Sequence, residues 1–318
     1  MSFRIAGTGM YVPENIVTND DLSKLVETND EWIRTRVGIE RRHISVDETT
    51  ADMAVKAAEA ALENSGIKPE ELDLILVSTV SGDYICPTVA CLVQQALGVH
   101  CLAYDISAAC SAFLFLLETA AGYFARGTVK KALVIGAERM SRIIDWSDRS
   151  TCVIFGDGAG AAVLEEGDNY LASHFNVQGG AEVIRIPASA GKSPFYKGES
   201  LGEPYVFMNG QETFKFAVNS ISHDIKTILE KAGMGIDDIK YVIPHQANLR
   251  IIDAASRRSG IPLDKFYVNI QEYGNTSSAS VPMALDELNR AGKLERGDNI
   301  LFTAFGGGLA SAASIIRW

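Results

Sequence analysis

The stretch ALENSGIKPEELDLILVS, Ala61 to Ser78, recurs in outline 167 positions later as ILEKAGMGIDDIKYVIPH, Ile228 to His245. The offset pairs Leu62 with Leu229, Glu63 with Glu230 and Gly66 with Gly233. Glu71 then falls with Asp238, and the apolar pairs Leu72/Ile239, Ile75/Val242 and Leu76/Ile243 follow. Each copy reads as the end of an amphipathic helix, a glycine cap, a short acidic loop and a buried strand. A second match pairs GTVKKALVIGAE, from Gly127, with GDNILFTAFGGG, from Gly297, at an offset of 170. Helix–glycine–strand units look alike in any α/β protein. Two matches in the same order at nearly one offset favour an internal duplication instead. The expected boundary is Gly167, giving halves 1–167 and 168–318, each with α/β layering.

A duplication places residues as well as elements. Ser78 and His245 take equivalent positions at the C-terminal end of a strand, where ligands gather in α/β folds. Cys110 precedes the helix leading into Gly127, and YGNTSSAS, Tyr273 to Ser280, precedes the helix leading into Gly297. Cys110, His245 and the Asn275 loop are therefore expected on one face, near a pseudo-twofold axis.

The net charge of −11 argues against nucleic acid and anionic membrane as main partners, while leaving room for a local basic patch. The longest apolar run, Ala112 to Ala125, is broken by Glu118 and is too short to span a bilayer. The first residues, MSFRIAGTGMYVPENIV, read as a strand and turn rather than a secretion signal, so a cytosolic protein is expected. Five cysteines without a C-x-x-C pair suggest neither a disulfide framework nor a structural zinc site. Most of them are expected to be buried small hydrophobes.

Cys110 is the exception to weigh. It opens a predicted helix, Ser111 to Arg126, that is too apolar to face water on any side. Unpaired N–H groups and the positive dipole end there would favour thiolate, whereas an inert packing cysteine is the plain alternative. His245 lies at a strand end, just before a helix expected near Asn248. Asn275 sits in a turn-like loop. Gly306–Gly308 follow a buried strand and suit either a tight turn or N–H donation to an oxyanion. Cys, His and Asn also make up a papain-like protease, but its sequence surroundings are absent, as is a G-x-S-x-G elbow. FGDGAGA, Phe155 to Ala161, does not open a helix after a first strand, so nucleotide binding is weakly supported.

Taken together, NDEWIRTRVGIERRHI, AACSAF, DRSTCVIFGDGAGAAVL, PHQANLRII, YGNTSSAS and FGGG resemble the β-ketoacyl-acyl carrier protein synthase III family, in its order and spacing from end to end. These are the condensing enzymes that initiate type II fatty-acid synthesis. The resemblance implies a thiolase-like fold of two βαβαβαββ halves in a five-layer α/β/α/β/α arrangement, usually as a homodimer. It implies that Cys110 takes the acyl group from acyl-coenzyme A. His245 and Asn275 then stabilise the enolate formed as malonyl-acyl carrier protein loses carbon dioxide. The backbone N–H groups of Cys110 and Gly307 hold the second oxyanion. No metal or redox cofactor is implied.

The resemblance further places Thr28, Trp32, Arg36, Arg149, Gly210, Phe214, Asn248 and Arg250 against coenzyme A, with Arg149 stacking on Trp32. Trp32 read alone fits simple helix packing equally well. Lys215, Arg250, Arg257 and Arg258 match cations that dock the acidic carrier protein, although a solvated helix surface is the bland reading. One departure stands out. The family's Phe-Pro, which reaches across the dimer interface to limit the acyl chain, is Cys86-Pro87 here. A smaller residue implies a deeper pocket for branched or medium acyl groups. Relatives that start alkylquinolone or polyketide synthesis share the Cys–His–Asn set, and non-catalytic partner subunits typically lose the cysteine.

Overall fold

The computed structural model describes residues 2–188, 194–195, 198 and 201–318. Two mixed sheets organise the chain. In the first, the strand order is Ser2–Tyr11, Asp157–Gly167, Lys131–Arg139, Leu74–Ser78, Leu102–Asp105. In the second it is Tyr170–Val177, Ala310–Arg317, Asn299–Gly306, Ile239–Pro244. The orders correspond strand for strand, and so do the directions: antiparallel, antiparallel, then parallel. Only the last strand differs. Leu102–Asp105 pairs in parallel with Leu74–Ser78, whereas its counterpart is reduced to a parallel bridge between Val242 and Phe266.

Helices complete five layers, α/β/α/β/α. Thr50–Ser65 and Val89–Leu97 cover the outer face of the first sheet, and Gly210–Ala232 with Leu249–Ser259 cover that of the second. Ala112–Ala125 and Ser280–Arg290 lie between the sheets. The apolar run that the sequence marks as buried nearly all round is this central helix: Phe113, Leu116 and Leu117 are fully buried, while Glu118, Gly122 and Ala125 leave one stripe exposed. Each such side chain contributes about 1.5–3 kcal/mol by leaving water.

The paired glycines end their helices as expected. Gly66 and Gly233 adopt φ of 69° and 65°, where a Cβ would be strained, and both return N–H groups to the last turn. FGDGAGA contributes packing rather than a nucleotide loop. Gly158 and Gly160 lie at the start of Asp157–Gly167, and a Cβ on Gly160 would stand 2.6 Å from the Met283 nitrogen of the helix Ser280–Arg290. Among the described residues no helix is long and apolar enough to cross a membrane.

Candidate active site

Cys110 lies in a one-turn 3-10 segment, Ala109–Ser111, directly ahead of the central helix Ala112–Ala125. The second half repeats this device: the 3-10 turn Ser277–Ala279 precedes Ser280–Arg290. Ala109 and Ser277 both hold positive φ, 48° and 51°, a conformation that non-glycine residues adopt at some cost. Each turn is pressed against a glycine of the facing sheet. A Cβ on Gly306 would stand 2.7 Å from the Cys110 nitrogen, and one on Gly136 would stand 2.4 Å from the Ser278 carbonyl oxygen.

His245 follows directly on Ile239–Pro244, and Asn275 on the short helix Ile270–Tyr273. A bridge between Phe155 and Asn275 joins the loops of the two halves. Cys110, His245 and Asn275 line one cavity of about 190 Å³ together with Gly306, Gly307 and Phe305. The rest of its wall is largely apolar, including Val80, Met140, Ile154, Ile186, Val206 and Met208.

His245 is buried and uncharged. Removal from water depresses its pKa to about 3. Its Nδ1 lies 2.7 Å from the Ser280 hydroxyl, which also accepts a longer bond from the Gln246 N–H at 3.3 Å. With the hydroxyl oxygen accepting from the backbone, its proton is available to Nδ1. In the tautomer where the hydroxyl donates to Nδ1, Nε2 is the protonated, donating nitrogen. The Phe305 ring meets the imidazole edge to face at 5.4 Å. Asn275 is oriented in a similar way. Its Oδ1 accepts from the Ser277 N–H at 2.8 Å, so its amide NH₂ is left for the cavity. Two neutral donors therefore serve one space, which suits a developing oxyanion.

The thiol departs from the sequence expectation of a thiolate favoured by a helix start. Burial pushes the Cys110 pKa up to about 11, and the nearby Glu138 carboxylate acts in the same direction. A hydrogen bond with Ser277 and the residue's own N–H oppose the rise without reversing it. The α-helix proper begins two residues later, at Ala112, and desolvation dominates.

Glu138, at the end of Lys131–Arg139, was not singled out from the sequence. It is fully buried and accepts from Ser277 and Ser278 hydroxyls at 3.1 and 2.9 Å, and from Ser81 Oγ, Thr79 Oγ1 and the Val80 N–H. Burial raises its pKa and these donors pull against the rise. Arg42 was also missed. It is fully buried, and its guanidinium donates to the Val17 and Val153 carbonyls and to Asn19 Oδ1. Its Cβ packs 3.1–3.5 Å from where a Cβ would stand on Gly156 or Gly274, behind the Phe155 and Asn275 loops. The available signals were an acid closing an apolar strand and a second arginine beside Arg41.

Of the remaining sequence candidates, Gly210, Phe214 and Asn248 line the cavity, and Asn248 caps Leu249–Ser259 by accepting from the Arg250 N–H at 2.9 Å. Trp32, on the helix Asp30–Val37, carries the Arg149 guanidinium 5.0 Å and that of Arg36 5.9 Å from its ring centre. Arg149 also donates to the Glu27 carbonyl, one residue from Thr28, whose hydroxyl is buried without a hydrogen-bond partner. These four lie outside the cavity lining, although Ser150, next to Arg149, belongs to it.

Arg250 lies 5.9 Å from the Phe214 ring centre. Lys215, Arg250, Arg257 and Arg258 are all exposed. Lys215 pairs with Glu212 and Arg257 with Asp253, while Arg258 donates to Asn219. Cys86 is exposed and does not line the cavity of its own chain; its neighbours Tyr84 and Ile85 face a larger cleft beside it. The expectation of mostly buried cysteines is corrected. Cys152 is fully buried; Cys86 is exposed in a loop, Cys91 and Cys101 are half-buried beside the edge strand Leu102–Asp105, and Cys110 is open only to the cavity it lines.

Family models for the 3-oxoacyl-[acyl-carrier-protein] synthase III domain and its C-terminal domain match residues 104–180 and 229–318. The β-ketoacyl-[acyl-carrier-protein] synthase III of Clostridium acetobutylicum is 47% identical, over 100% of this chain and 99% of its own. The chain belongs to the β-ketoacyl-acyl carrier protein synthase III family. The synthase III of Aquifex aeolicus has a solved structure that matches with a TM-score of 0.92 at 45% identity, covering 99% of this chain and 100% of that one. A priming β-ketosynthase from the R1128 polyketide pathway matches with a TM-score of 0.91 at 36% identity, covering 99% and 96%. As a synthase III the chain is a condensing acyltransferase of the thiolase fold.

Proposed function

We propose that the chain condenses an acyl-coenzyme A starter with malonyl-acyl carrier protein, initiating type II fatty-acid synthesis. The convergence of Cys110, His245 and Asn275 on one cavity, from loops of both halves, carries this reading. The Cys110 sulfur attacks the starter thioester, the C–S bond to coenzyme A breaks, and the thiol proton passes to the departing coenzyme A sulfur, leaving acyl-Cys110. Nε2–H of His245 and the amide of Asn275 donate to the thioester carbonyl of the malonyl group as carbon dioxide leaves. The resulting enolate carbon attacks acyl-Cys110. The backbone N–H groups of Cys110 and Gly307 hold the oxyanion until the thiolate departs.

In this reading Trp32, Arg36 and Arg149, with Thr28, hold the nucleotide end of coenzyme A. Gly210, Phe214, Asn248 and Arg250 border its pantetheine arm. The Arg149–Trp32 stack and the cavity-lining positions support these roles. Lys215, Arg250, Arg257 and Arg258 form a cationic face for the acidic carrier protein. The reaction needs no metal or redox cofactor.

A homodimer is proposed on the open strand Leu102–Asp105 and on exposed Leu102, Tyr84 and Ile85. Cys86 would then meet the acyl chain of the opposite copy and admit branched or medium starters. A division at Gly167 is supported by the two sheets, built from residues 2–167 and 170–317. A cytosolic location accords with these soluble substrates.

The test is intact-mass detection of one acyl adduct on Cys110 after incubation with acyl-coenzyme A, discharged by malonyl-acyl carrier protein as β-ketoacyl product. Failure of wild type to acylate, or equal acylation of Cys110→Ser, overturns the assignment. A panel of acetyl, isobutyryl and octanoyl starters tests the Cys86 reading, which strict acetyl preference would sink. The likeness to a polyketide priming β-ketosynthase favours a second reading, starter synthesis in secondary metabolism. Preference for a polyketide carrier protein over that of fatty-acid synthesis would select it.

A further inference from the structure

On the outer face of the second sheet, far from the thiol, three side chains converge that the condensation does not use. His174 projects from the edge strand Tyr170–Val177, and His223 and Asp224 from the helix Gly210–Ala232. Asp224 sits on the apolar face of that helix, among Ile221, Ile225 and Ile228, and is 1% exposed. Neither of its carboxylate oxygens has a partner in full hydrogen-bond geometry, although the Ser311 hydroxyl is close enough to stabilise the charge. A carboxylate removed from water in this way is costly unless a positive partner is supplied.

The groups around it are few. His174 Nε2 stands 3.5 Å from Asp224 Oδ1, near enough to feel the charge without hydrogen-bond geometry. The His174 and His223 rings are 5.9 Å apart, edge to face. Ser311 Oγ, on the adjoining strand, is buried beside the carboxylate but outside full hydrogen-bond geometry, and Thr227 Oγ1 lies 3.5 Å from His223 Nε2. One ligand atom from each of His174, His223 and Asp224 falls within 4.8 Å of the other two.

We propose that His174, His223 and Asp224 form a binding site for a divalent transition-metal cation, zinc above all. Two imidazoles and one carboxylate suit zinc and disfavour calcium or magnesium, which want oxygen ligands. Rotation of the two imidazoles, both reached by solvent, closes the present spread to tetrahedral separations of roughly 3.4 Å, with water as fourth ligand. None of the three ligands is a cysteine, and no C-x-x-C spacing announces the site. His174 lies 49 positions before the adjacent pair His223 and Asp224 and meets them only through the packing of helix on sheet.

The site's consequence is mechanical. Asp224 lies about 21 Å along its helix from Gly210, at 1.5 Å per residue. A bound ion would clamp the far end of the helix whose first turns line the cavity, leaving the reacting groups untouched. It should therefore raise the melting temperature and leave condensation rates unchanged.

The test uses tag-free, chelator-treated protein titrated with Zn²⁺ by calorimetry, and with Co²⁺ by absorption. One zinc per chain is expected, with a tetrahedral cobalt spectrum and a Tm that rises with zinc. His223→Ala, on an exposed side chain that the fold does not need, should weaken zinc about tenfold or more and remove the Tm gain. Asp224→Asn should abolish both. Cys110→Ser should bind zinc as wild type does, which excludes the active-site thiol as the ligand. No uptake by wild type, or undiminished uptake by His223→Ala, overturns the proposal even if Asp224→Asn fails to fold.

Discussion

The Ser280 hydroxyl stands 2.7 Å from Nδ1 of His245, and the Gln246 N–H reaches the same oxygen at 3.3 Å. A serine that donates to Nδ1 favours the imidazole tautomer that donates from Nε2. Ser280→Ala should leave the ring buried but free to exchange tautomers. A lost buried hydrogen bond is worth about 1–3 kcal/mol, or roughly 5- to 150-fold in rate. Malonyl-carrier protein decarboxylation should fall within that range while acylation of Cys110 is nearly unchanged, and Ser280→Thr should recover part of the loss. Equal losses in both half-reactions would refute a tautomer role.

His245 should not titrate during turnover. Its pKa is depressed by burial to about 3, so the unfolded chain takes up the proton first as pH falls. The associated stability is complete above about pH 6.5, the ordinary histidine value, and declines toward pH 3. The decarboxylation rate should show no inflection from His245 between pH 5 and 8. His245→Ala should remove decarboxylation and retain part of transacylation. An inflection near pH 6.5 that vanishes in this variant would show a solvated, ionisable ring instead.

Cys110 rests as a thiol, with its pKa pushed up to about 11 by burial and by Glu138. At pH 7 the thiolate fraction is then about 10⁻⁴. Alkylation of Cys110 by iodoacetamide should rise about tenfold per pH unit from 6 to 10, without a plateau near neutrality. Glu138→Gln removes the opposing charge and should increase alkylation at pH 8, with Tm recorded to follow the loss of buried bonds. A plateau at or below pH 8 in wild type would restore the helix-end account of a stabilised thiolate.

The 167-residue repeat made the paired strands, the glycine caps and the meeting of Cys110, His245 and Asn275 legible before any coordinates. What it could not convey was desolvation. The same helix start that suggests thiolate from its dipole yields a thiol once its surroundings close over it. Glu138 and Arg42 escaped notice for a related reason: each looks like a surface charge until packing across the two halves buries it. Cys91 and Cys101 erred the other way, being apolar in type but placed near a sheet edge that one chain leaves open.

The cationic face on Leu249–Ser259 is less positive than its arginines suggest, because Asp253 and Glu212 sit within it. Such exposed pairs hold their partners weakly, at about 0–1 kcal/mol, so an acidic carrier protein can displace them. Arg257→Glu with Arg258→Glu should raise the KM for malonyl-carrier protein while sparing acylation from coenzyme A. Wild type should lose carrier-protein affinity steeply between low and physiological salt. A salt-independent KM would remove this face from docking.

Gly306 makes room for Cys110. A methyl there would stand 2.7 Å from the Cys110 nitrogen and 3.2 Å from its Cβ, closer than packed atoms approach. The strand Asn299–Gly306 is held on both sides by paired strands, so the 3-10 turn bearing Cys110 must be what moves. Displacements near 1 Å at a reacting centre cost about a hundredfold in rate. Gly306→Ala should therefore slow Cys110 acylation by about ten- to a hundredfold in a protein that still folds. Gly122→Ala, in the helix that follows the nucleophile, meets nothing within 4 Å and serves as the control. It should add about 0.5–1 kcal/mol of stability and leave the rate unchanged. Undiminished acylation in Gly306→Ala would mean that the turn shifts without cost and that the close approach serves packing alone.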